Sequence, residues 1–177
     1  MIYADRIRFR PPERQDLPLF ITWLNDPEVR AGLLVHLPFS LANEELWFEA
    51  MLKRPPHEHP FVIEVREGDK WKPIGNCGFH NLDWRCRSAE VGIMIGEKNY
   101  WNRGYGTDAM RLLLKHGFGT LNLNRIYLDV YQNNPRAIRT YEKAGFVHEG
   151  ARRQAAYKDG QYIDILMMSV LRSEWQE

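Results

Sequence analysis

The residues best suited to chemistry lie between Glu90 and Gly119. An alternating strand, Glu90 to Ile95, leads to Asn102-Arg103-Gly104-Tyr105-Gly106-Thr107, and a helix with apolar residues at Ala109, Met110, Leu113, Leu114 and Phe118 follows at once. Glycines in such a turn permit positive φ and let a ligand approach the backbone without a Cβ in the way. The first-turn N–H groups of the helix have no intrahelical acceptors and sit at the positive end of its dipole. The arrangement suits a pyrophosphate. Glycines before a helix also serve as plain tight connections, so turn chemistry alone leaves that alternative open. No Lys-Ser or Lys-Thr follows Gly106, which rules out a nucleoside-triphosphate P-loop, and the three-glycine dinucleotide fingerprint is missing.

Trp101-Asn102-Arg103-Gly104-Tyr105-Gly106 resembles the acetyl-coenzyme A signature of the GNAT acetyltransferases, Gln/Arg-x-x-Gly-x-Gly/Ala, with Trp101 in place of the first Gln or Arg. Downstream, Asn134-Pro135-Arg136-Ala137-Ile138-Arg139-Thr140-Tyr141-Glu142-Lys143-Ala144-Gly145-Phe146 matches that family's second motif, Asn-x-x-Ala-x-x-x-Tyr-x-x-x-Gly-Phe, in the expected order. The resemblance covers about residues 80–155 and extends to the spermidine acetyltransferases and the ribosomal-protein N-terminal acetyltransferases. It implies acetyl-coenzyme A as co-substrate, with direct transfer of the acetyl group to an amine.

Such a transfer needs a neutral amine, an exit for its extra proton, stabilisation of the charging carbonyl oxygen and protonation of the departing thiolate. The resemblance assigns Tyr141 as the acid. It lies on the same helical face as Asn134, Ala137 and Ile138 by three-to-four spacing. The alternative is a buried tyrosine satisfied by a backbone carbonyl. Glu90 is the candidate base, directly or through water, as in the spermidine enzymes that the sequence resembles. Alternation sets Glu90, Gly92 and Met94 opposite Val91, Ile93 and Ile95. A strand-edge glutamate paired with an arginine explains Glu90 equally well. By the same likeness, backbone groups of Ile93, Met94 and Ile95 bond the pantetheine chain, which can satisfy a strand splaying from its parallel neighbour. Arg103, Gly104, Tyr105, Gly106 and Thr107 hold the pyrophosphate, and Asn134 contacts the cofactor arm or simply caps a helix.

Other chemically tempting side chains fit quieter roles. His57-Glu58-His59 lacks a partner cluster and reads as a polar loop, so no metal is expected. His116 falls near a helix end, where a cation suits the dipole. His80 is able to help deprotonate an amine but sits near a strand end, and the scattered Trp23, Trp47 and Trp71 fit packing. No cysteine or serine stands beside an activating base in either motif, so no covalent enzyme intermediate is needed.

A chain of 177 residues fits one domain, 1–177, and its 44% apolar content can build a core. No window suits a membrane span, and the N-terminus Met1-Ile2-Tyr3-Ala4-Asp5-Arg6 lacks a secretory pattern. The expected setting is the reducing cytoplasm, with Cys77 and Cys86 as free thiols. A net charge of +1 argues against bulk attraction to nucleic acid. Residues 97–143 hold eight Lys/Arg against four acids, suiting a phosphate-bearing ligand, whereas 25–60 hold six acids against three Lys/Arg. The acidic segment either faces an amine or is a solvated face.

The elements that position these residues follow from periodicity and punctuation. Strands are expected at 6–10, 61–65, 74–82, 89–95 and 125–131, with a C-terminal hairpin turning at Lys158-Asp159-Gly160-Gln161. Helices are expected after Asp16 as N-cap, after Ser40, after the glycine turn, and from Asn134-Pro135 to the stop at Gly145, with 28–39 short-helical or irregular. A long helix between strands 89–95 and 125–131 implies a parallel crossover. The fold class expected is an α/β GNAT fold: a mostly antiparallel mixed sheet of about seven strands with one central parallel pair, flanked by about four helices. The acceptor is expected to be a small primary amine such as a polyamine. A peptide N-terminus is the rival, and a non-catalytic coenzyme A-binding module is the reading from another class. Homo-oligomer formation stays open.

Overall fold

The computed structural model describes residues 1–33, 35 and 37–176. Leu34 and His36, within the stretch expected to be short-helical or irregular, and Glu177 lie outside the described residues. In chain order the elements are β1 (Ile2–Tyr3), β2 (Ile7–Arg10), α1 (Leu17–Asn25), α2 (Pro27–Arg30), α3 (Leu41–Leu52), β3 (Phe61–Glu67), β4 (Lys70–Asp83), β5 (Ser88–Ile95), α4 (Tyr105–Gly119), β6 (Arg125–Tyr131), α5 (Pro135–Ala144), β7 (Val147–Lys158) and β8 (Gln161–Leu171). The sheet has eight strands in the order β1-β2-β3-β4-β5-β6-β8-β7. The strand beyond the seven expected is β1, whose two residues are too few to show a period. The crossover through α4 is parallel, with Ser88, Ala89 and Glu90 opposite Arg125, Ile126 and Tyr127.

One compact unit comprises residues 1–79 and 93–109. Its core gathers Leu17, Phe20 and Trp23 of α1, Val29 of α2, Phe48 and Met51 of α3, Val62 of β3 and Met94 of β5, with Trp47 and Trp101 packed against them. The expected packing role of Trp23 and Trp47 is therefore observed. Gly96 is a glycine because an added Cβ would lie 2.2 Å from the Trp23 ring. Ser40 caps α3 by accepting the Asn43 N–H, as its position predicts.

Asp16 departs from expectation. It precedes α1 in helical conformation and makes no side-chain cap. Its carboxylate instead accepts the Glu13 N–H at 2.8 Å and two bonds from Arg10 at 2.6 and 2.7 Å. Arg10 and Arg8 also bond Glu64 at 2.8 and 2.6 Å, which ties β2 to β3. The aspartate caps the short turn that begins at Glu13 and is shared with a strand arginine, rather than capping α1. The acidic segment is largely spent in the same way: Asp26 and Glu28 pair with Lys98, Glu49 pairs with Arg14, and Glu44 is buried.

The second unit comprises residues 80–92 and 110–177. Buried here are Met110, Leu113, Leu114 and Phe118 of α4, Ile126, Leu128 and Val130 of β6, Tyr141 and Ala144 of α5, and Met168 and Val170 of β8. β8 runs antiparallel to β6 from Arg125–Leu171 to Tyr131–Ile165. The β7–β8 turn is a two-residue loop in which Asp159 and Gly160 take φ of 49° and 81°, the backbone an Asp-Gly hairpin turn requires. Burial lowers the pKa of His116, so its imidazole stays neutral at the end of α4 and does not serve as the dipole-compensating cation that its position suggested. Cys77 is buried, Cys86 exposed, and both are free thiols.

Candidate functional site

The glycine turn falls wholly in the first unit. Asn102 and Gly104 have φ of 61° and 86°, and the first helical bond of α4 runs from Asp108 N–H to the Gly104 carbonyl at 3.0 Å. The N–H groups of Tyr105, Gly106 and Thr107 precede that bond, so helix geometry gives them no intrahelical acceptor. The turn is braced from below. Tyr100 is buried, its hydroxyl donates to Glu67, and its ring lies 5.7 Å from that of Tyr105. The Arg103 guanidinium stands 5.8 Å over the Tyr100 ring and leaves that side chain exposed at the rim of the turn. A left-handed glycine, consecutive helix-start donors and an exposed guanidinium fit a pyrophosphate.

Arg6 was not legible as part of this turn. Its Nε donates to the Asp108 carboxylate at 3.0 Å, its terminal nitrogens reach the Arg103 carbonyl at 3.4 Å, and its guanidinium lies 4.7 Å over the Tyr105 ring. Its partners sit about a hundred positions away, so no local spacing announces them. Trp101, where the family motif has Gln or Arg, turns inward: its indole N–H donates to the Ile95 carbonyl at 2.7 Å. The tryptophan locks the end of β5 to the turn. Met94 is buried and Ile93 half-buried beside Ile95 on the same strand.

In the second unit, Asn134 caps α5 by accepting the Ala137 N–H at 3.2 Å, and Gly145 ends the helix at φ 105°. Within α5, Tyr141 is 8% exposed, and its ring lies 5.9 Å from Phe146. Burial alone pushes its phenol up to about 12, and no hydrogen bond contributes. Among the described residues no carbonyl is found accepting from its hydroxyl. The phenol is held protonated at neutral pH.

On β5, Glu90 accepts a bond from Asn81 Nδ2 at 2.8 Å, not from an arginine. Among the described residues no salt bridge of Glu90 is found. Two residues farther on, Gly92 lies under the His80 imidazole, whose Nε2 is 3.2 Å from where a Cβ would be. His80 is exposed and lies within β4. The two units thus hold separate parts of the expected constellation: Ile93, Met94, Ile95 and 103–107 in one, Glu90, Asn134 and Tyr141 in the other.

Residues 6–147 match the family model described as "Acetyltransferase (GNAT) domain". The chain belongs to the GNAT acetyltransferase family. It is 32% identical over 173 residues to spermidine N(1)-acetyltransferase of Vibrio cholerae, covering 96% of this chain and 95% of that protein. It is 34% identical over 102 residues to the putative ribosomal N-acetyltransferase YdaF of Bacillus subtilis, covering 58% of this chain and 55% of that protein. The crystal structure of the Vibrio cholerae spermidine N-acetyltransferase with CoA and spermine superposes with a TM-score of 0.88 at 27% identity, over 97% of this chain and 98% of that one. The chain is an N-acetyltransferase with the GNAT fold.

Proposed function

We propose that this enzyme acts as one acetyltransferase domain over residues 1–177, moving the acetyl group of acetyl-coenzyme A directly to a primary amine of a small, polyamine-like molecule. The Tyr141 phenol carries this reading. It occupies the motif position, is kept protonated by burial and, among the described residues, gives no hydrogen bond. Such a group is ready to protonate a leaving thiolate.

The opening of α4, with Arg103, Gly104, Tyr105, Gly106 and Thr107, binds the pyrophosphate. Ile93, Met94 and Ile95 line the thioester arm. The Ile95 carbonyl already accepts from Trp101, so that residue would bond the arm through its N–H. Asn134 spends its carbonyl oxygen on the helix cap and would offer the arm its amide N–H2. Glu90, bonded to the neutral Asn81 amide, would attract the acceptor ammonium. The polyamine preference draws on the likeness to the spermidine enzyme, since the acids of 25–60 are largely engaged within their own unit.

Thiol release with a panel of polyamines, aminoglycosides and short peptides tests the acceptor. Turnover confined to polyamines is expected, whereas turnover confined to peptides assigns the enzyme to N-terminal acetylation. Tyr141→Phe should lower turnover on the order of 10²-fold or more at unchanged acetyl-coenzyme A affinity. Undiminished turnover removes Tyr141 from the mechanism.

A further inference from the structure

Successive side chains of an extended strand point to opposite faces. His80 and Asn81 break that rule toward their neighbour β5. Asn81 bonds Glu90, His80 lies on Gly92, and Glu90 and Gly92 are two residues apart and share one face of β5. The cause is visible in the backbone. Asn81 has φ 49°, a left-handed conformation inside a strand. Asparagine tolerates that region better than most residues, but a strand does not require it. An outlier of this kind points to a site it serves. Here it turns an amide and an imidazole onto the surface that carries the candidate carboxylate, and Gly92 leaves room for the ring.

We infer that His80 is the group that takes the proton from the acceptor ammonium, with Glu90 as its anchor and Asn81 as the positioning residue for Glu90. This rests on the acetyl-transfer reading above. An imidazole matches the task better than a carboxylate, because its ordinary pKa lies near neutrality while a carboxylate is a weak proton acceptor there. The protons balance as follows. The acceptor's R–NH3+ gives one proton to His80 Nε2 or Nδ1, and the neutral amine forms its bond to the thioester carbon as the C–S bond breaks. The sulfur takes the Tyr141 proton, the new amide nitrogen loses its second proton to restore Tyr141, and His80 releases its own to water. No oxidant or reductant is needed. Charged and titratable groups here, among the described residues, include Glu90 on β5, Asp83 on β4, Arg125, Tyr127 and Asp129 on β6, and Arg152 on β7, which pairs with Asp129. The Tyr127 phenol is pushed up first by burial and then by Glu90, Asp129 and Asp83, with Arg125 pulling the other way.

The test uses the full chain and whichever amine the acceptor panel shows to be turned over. His80→Gln keeps the side chain's length and polarity but not its basicity. At pH 7 its kcat/KM should fall about 10²-fold, and the deficit should shrink about tenfold for each pH unit toward the amine's own pKa, because the solution then supplies the neutral amine. Gly92→Ala, which crowds the ring without requiring a new backbone conformation, should give a smaller loss of the same pH form. Acetyl-coenzyme A affinity by calorimetry should be unchanged in both. A His80→Gln profile parallel to wild type at every pH, or undiminished turnover, overturns the assignment. Wild-type protein inactive on every amine would instead sink the acetyl-transfer reading.

Discussion

Two buried phenols separate stability from function at single-residue resolution. The Tyr131 hydroxyl is buried without a hydrogen-bond partner among the described residues. Such a group bears the desolvation cost with no compensating bond. Tyr131→Phe should therefore stabilise the protein by about 1 kcal/mol, raising the melting temperature by about 2–4 °C in calorimetry. Tyr141 is also buried, and the proposed mechanism gives its phenol a use. Its folded-state pKa is raised to about 12 against an unfolded value near 10. The stabilisation is whole below pH 10 and is lost as pH climbs through about 12, because the unfolded chain ionises first. Urea unfolding should show a steeper alkaline decline in wild type than in Tyr141→Phe, and equal declines would contradict the burial of this phenol. The placing of Tyr141 in α5 and the Asn134 cap were legible because a helix fixes its own spacing. The left-handed Asn81 and the reach of Arg6 were not, since each depends on a partner brought by the sheet.

At the scale of elements, the opening of α4 is built by pieces distant in sequence. Arg6, at the entry to β2, ties the Asp108 carboxylate to the Arg103 carbonyl across the turn. Half its side chain is exposed, so the ion pair itself adds little to stability. Arg6→Ala should leave the melting temperature nearly unchanged yet raise the KM for acetyl-coenzyme A several-fold, with kcat retained. A matching loss of kcat would show the arginine acting elsewhere. Gly104→Ala is harsher. The position has φ 86°, and a Cβ would sit 3.1 Å from the Arg6 guanidinium, so strain of about 1–2 kcal/mol joins displacement of the clasp. Cofactor affinity should fall more than in Arg6→Ala, as read by titration calorimetry. The periodic elements were readable from sequence, as were the Ser40 cap, the Asp-Gly hairpin and the crossover. Asp16 misled because a local capping pattern cannot reveal an arginine on the preceding strand.

For the molecule as a whole, the family was carried by two motifs, while the acceptor was not. The acids of 25–60 suit either an amine-facing or a solvated surface, and Lys98 and Arg14 pair with three of them. Charge composition counts residues without saying which are already paired. The most consequential pairing is the Arg8–Glu64–Arg10–Asp16 network, in which Glu64 is 4% exposed. Glu64→Ala would take from Arg8 the carboxylate it pairs with and leave Arg10 with Asp16, and should cost about 3 kcal/mol in denaturant unfolding. A loss below 1 kcal/mol would mean that the network relaxes into water. Trp101 has a different consequence. Its indole is clasped to the end of β5 beside the turn proposed to receive the nucleotide, which makes it a native optical probe. Among six tryptophans, it is the one whose emission should respond to saturation with acetyl-coenzyme A, and Trp101→Phe should silence that response.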